Sequence, residues 1–194
     1  MPRQDSILAS HHLGHVLPPA PSFVGREHEM AALHDFWKSK DGVASLIGIG
    51  GAGKTACAQK FVEWVQERHP REKILVWSFY DDPDSNHFLK SAYSYLSDGK
   101  SESASAAGWF TLLMDVLNDG GTYLIVLDGL ERVQREHTNA SGIYGELEDS
   151  LLKGLLARVC SGAVSTKVVI TSRFPIANLE AWQGPGYRVI DIDN

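Results

Sequence analysis

The chain has 194 residues, 43% hydrophobic and 22% charged, enough for one α/β domain with a core of its own and typical of an ordinary globular protein. The net charge of −6 comes with no basic run, so direct nucleic-acid binding by this chain is not indicated. No apolar stretch approaches the length of a membrane span, and the polar, histidine-rich start is no secretory signal. Cys57 and Cys160 are the only two cysteines. Both fall on predicted helix faces, and they read as free, buried thiols of a reducing, cytoplasmic setting.

Residues 1–22 lack periodicity and carry Pro18, Pro19 and Pro21. They read as a flexible linker preceding a domain over 23–194. Metal binding by His11, His12 and His15 is the alternative to a polar tract, but nothing in the sequence fixes their geometry. From Phe23-Val24-Gly25-Arg26-Glu27 a helix begins, with acids at its positive end and Met30, Leu33 and Trp37 on its apolar face. Val43–Ile47 is a short buried strand. Gly48-Ile49-Gly50-Gly51-Ala52-Gly53-Lys54-Thr55 then fits G-x-x-x-x-G-K-[ST], and Cys57, Phe61, Trp64 and Val65 recur at helical spacing after it.

Strand, glycine loop and helix together are the context a phosphate-binding loop requires. Gly48, Gly50, Gly51, Ala52, Gly53 and Ala56 bring backbone N–H groups to phosphate oxygens, assisted by the helix N-terminus. Lys54 reaches the β- and γ-phosphates of ATP or ADP, and the Thr55 hydroxyl ligates Mg²⁺.

Lys73–Tyr80 is the second strand, broken by Asp81-Asp82-Pro83-Asp84. Asp84 or Ser85 caps a helix bearing Phe88, Leu89, Ala92, Tyr93 and Leu96. The serine-rich stretch 97–106 is a surface loop, Trp109–Leu117 a helix, and Asn118-Asp119-Gly120-Gly121 a stop. Thr122–Leu127 is the third strand, ended by Asp128. A carboxylate there in a P-loop protein is a Mg²⁺-holding Walker B residue. Glu131 either orients the attacking water or is a solvated surface acid. Residues 132–145 form a loop, and Leu147, Leu151, Leu155 and Val159 line one helix face. Lys167–Thr171 is the fourth strand. Arg173 after it either faces the γ-phosphate or makes a surface ion pair. Tyr187–Ile192 is the fifth strand.

Taken together, Val24-Gly25-Arg26, Gly48 to Thr55, Leu124 to Asp128 and Thr171-Ser172-Arg173 resemble the STAND class of P-loop NTPases, which includes the NB-ARC and NACHT proteins. The resemblance implies a three-layer α/β sandwich with a mainly parallel five-stranded sheet, in which the fourth strand lies between the P-loop and Walker B strands. It implies that Val24, Gly25 and Arg26 pack against adenine and that Arg173 senses the γ-phosphate. It also implies an ATP/ADP-dependent switch that oligomerises and activates an attached effector, in defence or signalling. Helical, winged-helix and sensor domains would lie outside this chain. At Walker B, Gly129 stands where NB-ARC proteins have a second acid. Asp128-Gly129-Leu130-Glu131 is closer to the NACHT form, with Arg132 in place of a further acid, so at most slow ATP hydrolysis is expected. An AAA+-like motor and a non-catalytic scaffold are the alternatives. No Asn/Thr-Lys-x-Asp element reads guanine, so the expected ligand is an adenine nucleotide.

Overall fold

The apolar runs form the strands. In β2 (Val43–Ile47) every residue is buried. In β3 (Lys73–Ser78), β4 (Tyr123–Asp128) and β5 (Lys167–Ser172) one half-buried residue precedes five buried ones. Such runs belong to parallel strands covered on both faces. With β6 (Tyr187–Asp191) they form an all-parallel sheet in the order β3-β4-β5-β2-β6. The five-stranded sheet expected from the sequence is the observed one, and β5 lies between β2 and β4. The computed structural model describes residues 12, 13, 15–18, 20, 24–100, 102–136 and 143–192.

A sixth, two-residue strand, β1 (His12–Leu13), pairs in parallel with Leu75 and Val76 at the outer edge of β3. Beyond it Leu17 is buried, and His15 sits edge-on to Trp77 at 4.7 Å. Residues 1–11, 14, 19 and 21–22 of the segment read as a linker, His11 among them, lie outside the described residues, as does Phe23.

Because side chains alternate along a strand, the sheet has two cores. On one face Ala44, Leu46, Ile74, Val76, Leu124, Val126 and Val169 pack with Leu33 and Phe36 of α1 (Glu27–Lys38) and Phe61 and Val65 of α2 (Lys54–Arg68). On the other, Leu75, Trp77, Ile125, Leu127, Val168 and Ile170 meet α3 (Ser85–Leu96), α4 (Ala106–Asn118) and α5 (Ser150–Cys160). Each fully buried Leu, Ile, Val or Phe contributes about 1.5–3 kcal/mol. Cys57 and Cys160 are free and buried in these cores, and burial pushes their thiols up to about 11 and about 12. No helix among the described residues is long and apolar enough to cross a membrane.

Three boundaries differ from expectation by two residues or more. Strand β3 stops at Ser78, because the backbone turns there: Asp81 and Asp82 N–H both donate to the Ser78 carbonyl. Helix α4 starts three residues ahead of Trp109, where Ser105 accepts from Gly108 N–H. Leu147 is not helical. It bridges to Gln134, and α5 begins only after Asp149, whose side chain accepts from Leu152 N–H at 2.7 Å. The buried face of α5 is therefore Leu152, Leu155, Leu156 and Val159.

The register aligns the carboxyl ends of the strands. Ile47 stands opposite Ser172, and Ser78 opposite Asp128. The segments that leave these ends consequently share one rim of the sheet, the usual place for a ligand in an open α/β fold.

Candidate nucleotide-binding site

The loop from β2 to α2 is built around its glycines. Gly51 and Gly53 have φ of +82° and +93°, a region that side chains resist. A Cβ on Gly48 would come within 2.6 Å of the Ile192 carbonyl. Ala52 is buried and its N–H donates to the Ile49 carbonyl, while Ala56 lies in the first turn of α2. Lys54 opens α2 and arches back, its ammonium donating to the carbonyls of Gly48 at 2.7 Å and Ile49 at 2.9 Å. Burial lowers the Lys54 pKa; the Glu131 and Asp128 charges oppose that shift and Arg173 adds to it.

Across the rim, Asp128 is 4% exposed, and its Oδ1 accepts from the hydroxyls of Thr55 at 2.8 Å and Thr171 at 2.7 Å. Burial raises the Asp128 pKa; the two threonine hydrogen bonds pull it back down. With its proton given to Asp128, the Thr55 oxygen keeps its lone pairs for another donor or a cation. A hydroxyl and a carboxylate in this arrangement are hard oxygen donors that suit Mg²⁺, which is held by one or two protein oxygens with phosphates and water completing its shell.

Beyond Asp128 the chain turns through Gly129, whose N–H donates to Thr171 Oγ1 at 2.9 Å. Gly129 has φ +74°, and any Cβ there would run into the Tyr80 ring. A second acid at this position would have to displace the Tyr80 ring and adopt a strained backbone. The 3-10 turn Leu130–Val133 follows and buries Glu131, which is 3% exposed and not a solvated surface residue. Its Oε1 accepts from the Tyr80 hydroxyl and pairs with Arg173 Nε at 3.3 Å. Its Oε2 is buried with no hydrogen-bond partner among the described residues. Arg173 is half exposed and lies over Gly50, 3.4 Å from where a Cβ on that residue would be.

Arg26 reaches the same loop from the N-cap of α1. It donates to the Ala52 carbonyl at 2.8 Å and to Glu29 at 2.8 Å. Gly25 is at φ +74°, and Val24 is 85% exposed beside it. The structure thus brings Arg26, Gly48 to Ala56, Asp128, Glu131 and Arg173 to one rim, with Val24 exposed at its margin.

Two residues of this rim carried no sequence motif. Tyr80 meets Glu131 only because β3 ends early. Gln134, 6% exposed, donates to the carbonyls of Gly145 at 2.8 Å and Pro175 at 3.1 Å and accepts from the Ser172 hydroxyl at 2.5 Å. The aspartate-hydroxyl pair, the arched lysine and the sheet order together decide the architecture.

The chain has the P-loop NTPase fold. Two solved structures agree with that, and a third aligns more loosely. The Aeropyrum pernix ORC1 protein, solved in complex with DNA, aligns at 18% identity over 89% of this chain and 47% of its own, with a TM-score of 0.58. Cdc6p from Pyrobaculum aerophilum aligns at 18% identity over 89% of this chain and 48% of its own, with a TM-score of 0.62. A STAND protein with a tetratricopeptide repeat sensor from Pyrococcus horikoshii aligns at 18% identity over 90% of this chain and 24% of its own, with a TM-score of 0.45. The chain spans about half the length, or less, of the solved structures it matches. No protein-family model matches the sequence, and no curated protein does.

Proposed function

We propose that this domain binds ATP or ADP with Mg²⁺ and serves as the nucleotide switch of a STAND-type protein. The observation that carries the reading is the Thr55–Asp128 contact at the mouth of the glycine loop, with Lys54 beside it. Thr55 and Asp128 would hold the metal, which when bound offsets phosphate charge. Lys54 would exchange its two loop carbonyls for phosphate oxygens. The N–H groups of Gly50 to Ala56 would complete the cradle. Arg26, already bonded to Ala52, would place Val24 and Gly25 against adenine, as the resemblance implies.

Glu131 is the residue suited to take a proton from water, yet Tyr80 and Arg173 occupy one of its oxygens. Its other oxygen, Oε2, has no partner among the described residues but is buried, so water must first be admitted to it, which supports slow turnover in a switch where ADP holds one state and ATP another. Oligomerisation, an attached effector and a role in defence or signalling follow from the resemblance to STAND proteins and belong to the same proposal.

A second reading is an AAA+-like ATPase, favoured by the likeness in fold to ORC1 and Cdc6p. It calls for brisk hydrolysis, and DNA binding would then be tested directly. The two readings share the site, so the first experiment addresses the site. In a thermal melt, saturating Mg-ADP should stabilise the wild type by about 3 kcal/mol at a hundredfold excess over Kd and leave Lys54→Ala unmoved. Equal stabilisation of both proteins would remove the P-loop as the binding site.

A further inference from the structure

The segment after Walker B and the segment after β5 are tied together by a single side chain. Gln134 ends the 3-10 turn that carries Glu131, and its N–H returns to the Glu131 carbonyl at 3.4 Å. Its side-chain amide is fully engaged. The oxygen accepts from the Ser172 hydroxyl, and the nitrogen donates to the carbonyls of Pro175 and Gly145. Ser172 and Pro175 bracket Arg173 and Phe174. Within that bracket the Phe174 N–H donates back to Ser172 Oγ at 3.1 Å. Gln134 therefore grips the Arg173 turn before and after the arginine. Space for this grip depends on Gly145, at φ +78°, where a Cβ would run into the Pro175 carbonyl.

We infer that Gln134 is a positioning residue for Arg173, setting its reach over the P-loop and hence the preference of the site for a triphosphate over a diphosphate. This rests on the proposed nucleotide site. The physical argument is geometric. Arg173 is half exposed and hangs from a short turn, paired with Glu131 and lying over Gly50. A guanidinium on a loose turn loses the directionality that makes its bonds to phosphate strong. Because the amide that pins this turn also ends the Glu131 turn, both groups facing the γ-phosphate position share one anchor. An anchor of this kind affects the γ-phosphate and leaves the α- and β-phosphate cradle, built by Gly48 to Thr55, in place.

The test is calorimetric titration of Mg-ADP and of the Mg-bound β,γ-imido analogue of ATP against wild type, Arg173→Ala, Gln134→Leu, Ser172→Ala and the Gln134→Leu/Arg173→Ala double variant. Arg173→Ala should weaken the triphosphate by about tenfold or more, the loss of a charged hydrogen bond, and ADP by much less. Gln134→Leu and Ser172→Ala should reproduce that selective loss, and the double variant should bind the triphosphate no more weakly than Arg173→Ala, since both changes remove one contact. A purely structural Gln134 would instead weaken both nucleotides together, or add its loss to that of Arg173→Ala, and either result overturns the inference. Should Gln134→Leu fail to fold, Ser172→Ala decides alone: a wild-type triphosphate-to-diphosphate ratio in that variant overturns it. A wild type that binds neither nucleotide, or an Arg173→Ala variant with an unchanged ratio, removes the site reading itself and this inference with it.

Discussion

Asp128 is a buried carboxylate, and the fold bears the cost. Burial raises its pKa above the ordinary 3.8, and the hydrogen bonds from Thr171 and Thr55 only partly offset that. The native state therefore holds the proton more tightly than the unfolded chain. The associated stability is complete below about 3.8 and is lost as pH rises through the higher native value. Asparagine keeps an oxygen to accept from the threonines and carries no charge to desolvate. Asp128→Asn should thus be more stable than wild type near neutral pH, by about 1–2 kcal/mol. The gap should narrow near pH 4, as wild-type Asp128 takes up its proton. Urea unfolding at the two pH values, without nucleotide, checks this, and a wild type more stable than the variant at neutral pH would show that the threonine pair outweighs burial. The same variant should lose the Mg²⁺ dependence of nucleotide binding.

At the scale of elements, local chemistry marks where each piece starts and stops. Helix α5 is an example: Asp149 caps Leu152 N–H, and Asp149→Ala should cost about 1 kcal/mol and speed hydrogen exchange in the first turn of α5. Unchanged stability and exchange would mean the packing of Leu152 and Leu155 alone sets that end. The strands were legible because parallel strands covered on both faces must be continuously apolar. That the glycine loop, Asp128 and Arg173 follow strands and meet at one rim was legible because each motif is local. Leu147 misled because it lies four residues before Leu151, a helical spacing, whereas its actual partner is Gln134 across a turn. Strand β1 left no trace because its pairing with Leu75 and Val76 uses the backbone. Tyr80 and Gln134 were invisible for a related reason: their partners, Glu131, Ser172 and Pro175, come from other segments, and no spacing along the chain records the meeting.

For the molecule as a whole, the position of β2 matters most. Strands β3 and β4 pair with each other, so the Walker B half of the sheet is assembled from neighbours in the chain. Strand β2, from which the glycine loop springs, pairs with β5 and β6, both of which follow β4 in the chain. A chain cut after α5 should consequently retain helix but bind no nucleotide, and it should aggregate through the open β2 edge. Circular dichroism and Mg-ADP titration of the 1–163 fragment would check this, and nucleotide binding by the fragment would mean that β2 can hold its loop unpaired. The order of pairing also imposes a schedule on synthesis. At roughly 5–20 residues per second a ribosome takes on the order of ten seconds to travel from the glycine loop to the strands that clasp it. During that interval the nascent chain carries a complete phosphate-binding motif with no sheet to support it. The proposed site would therefore close late in translation, with no capacity for nucleotide expected until β5 and β6 have left the exit tunnel.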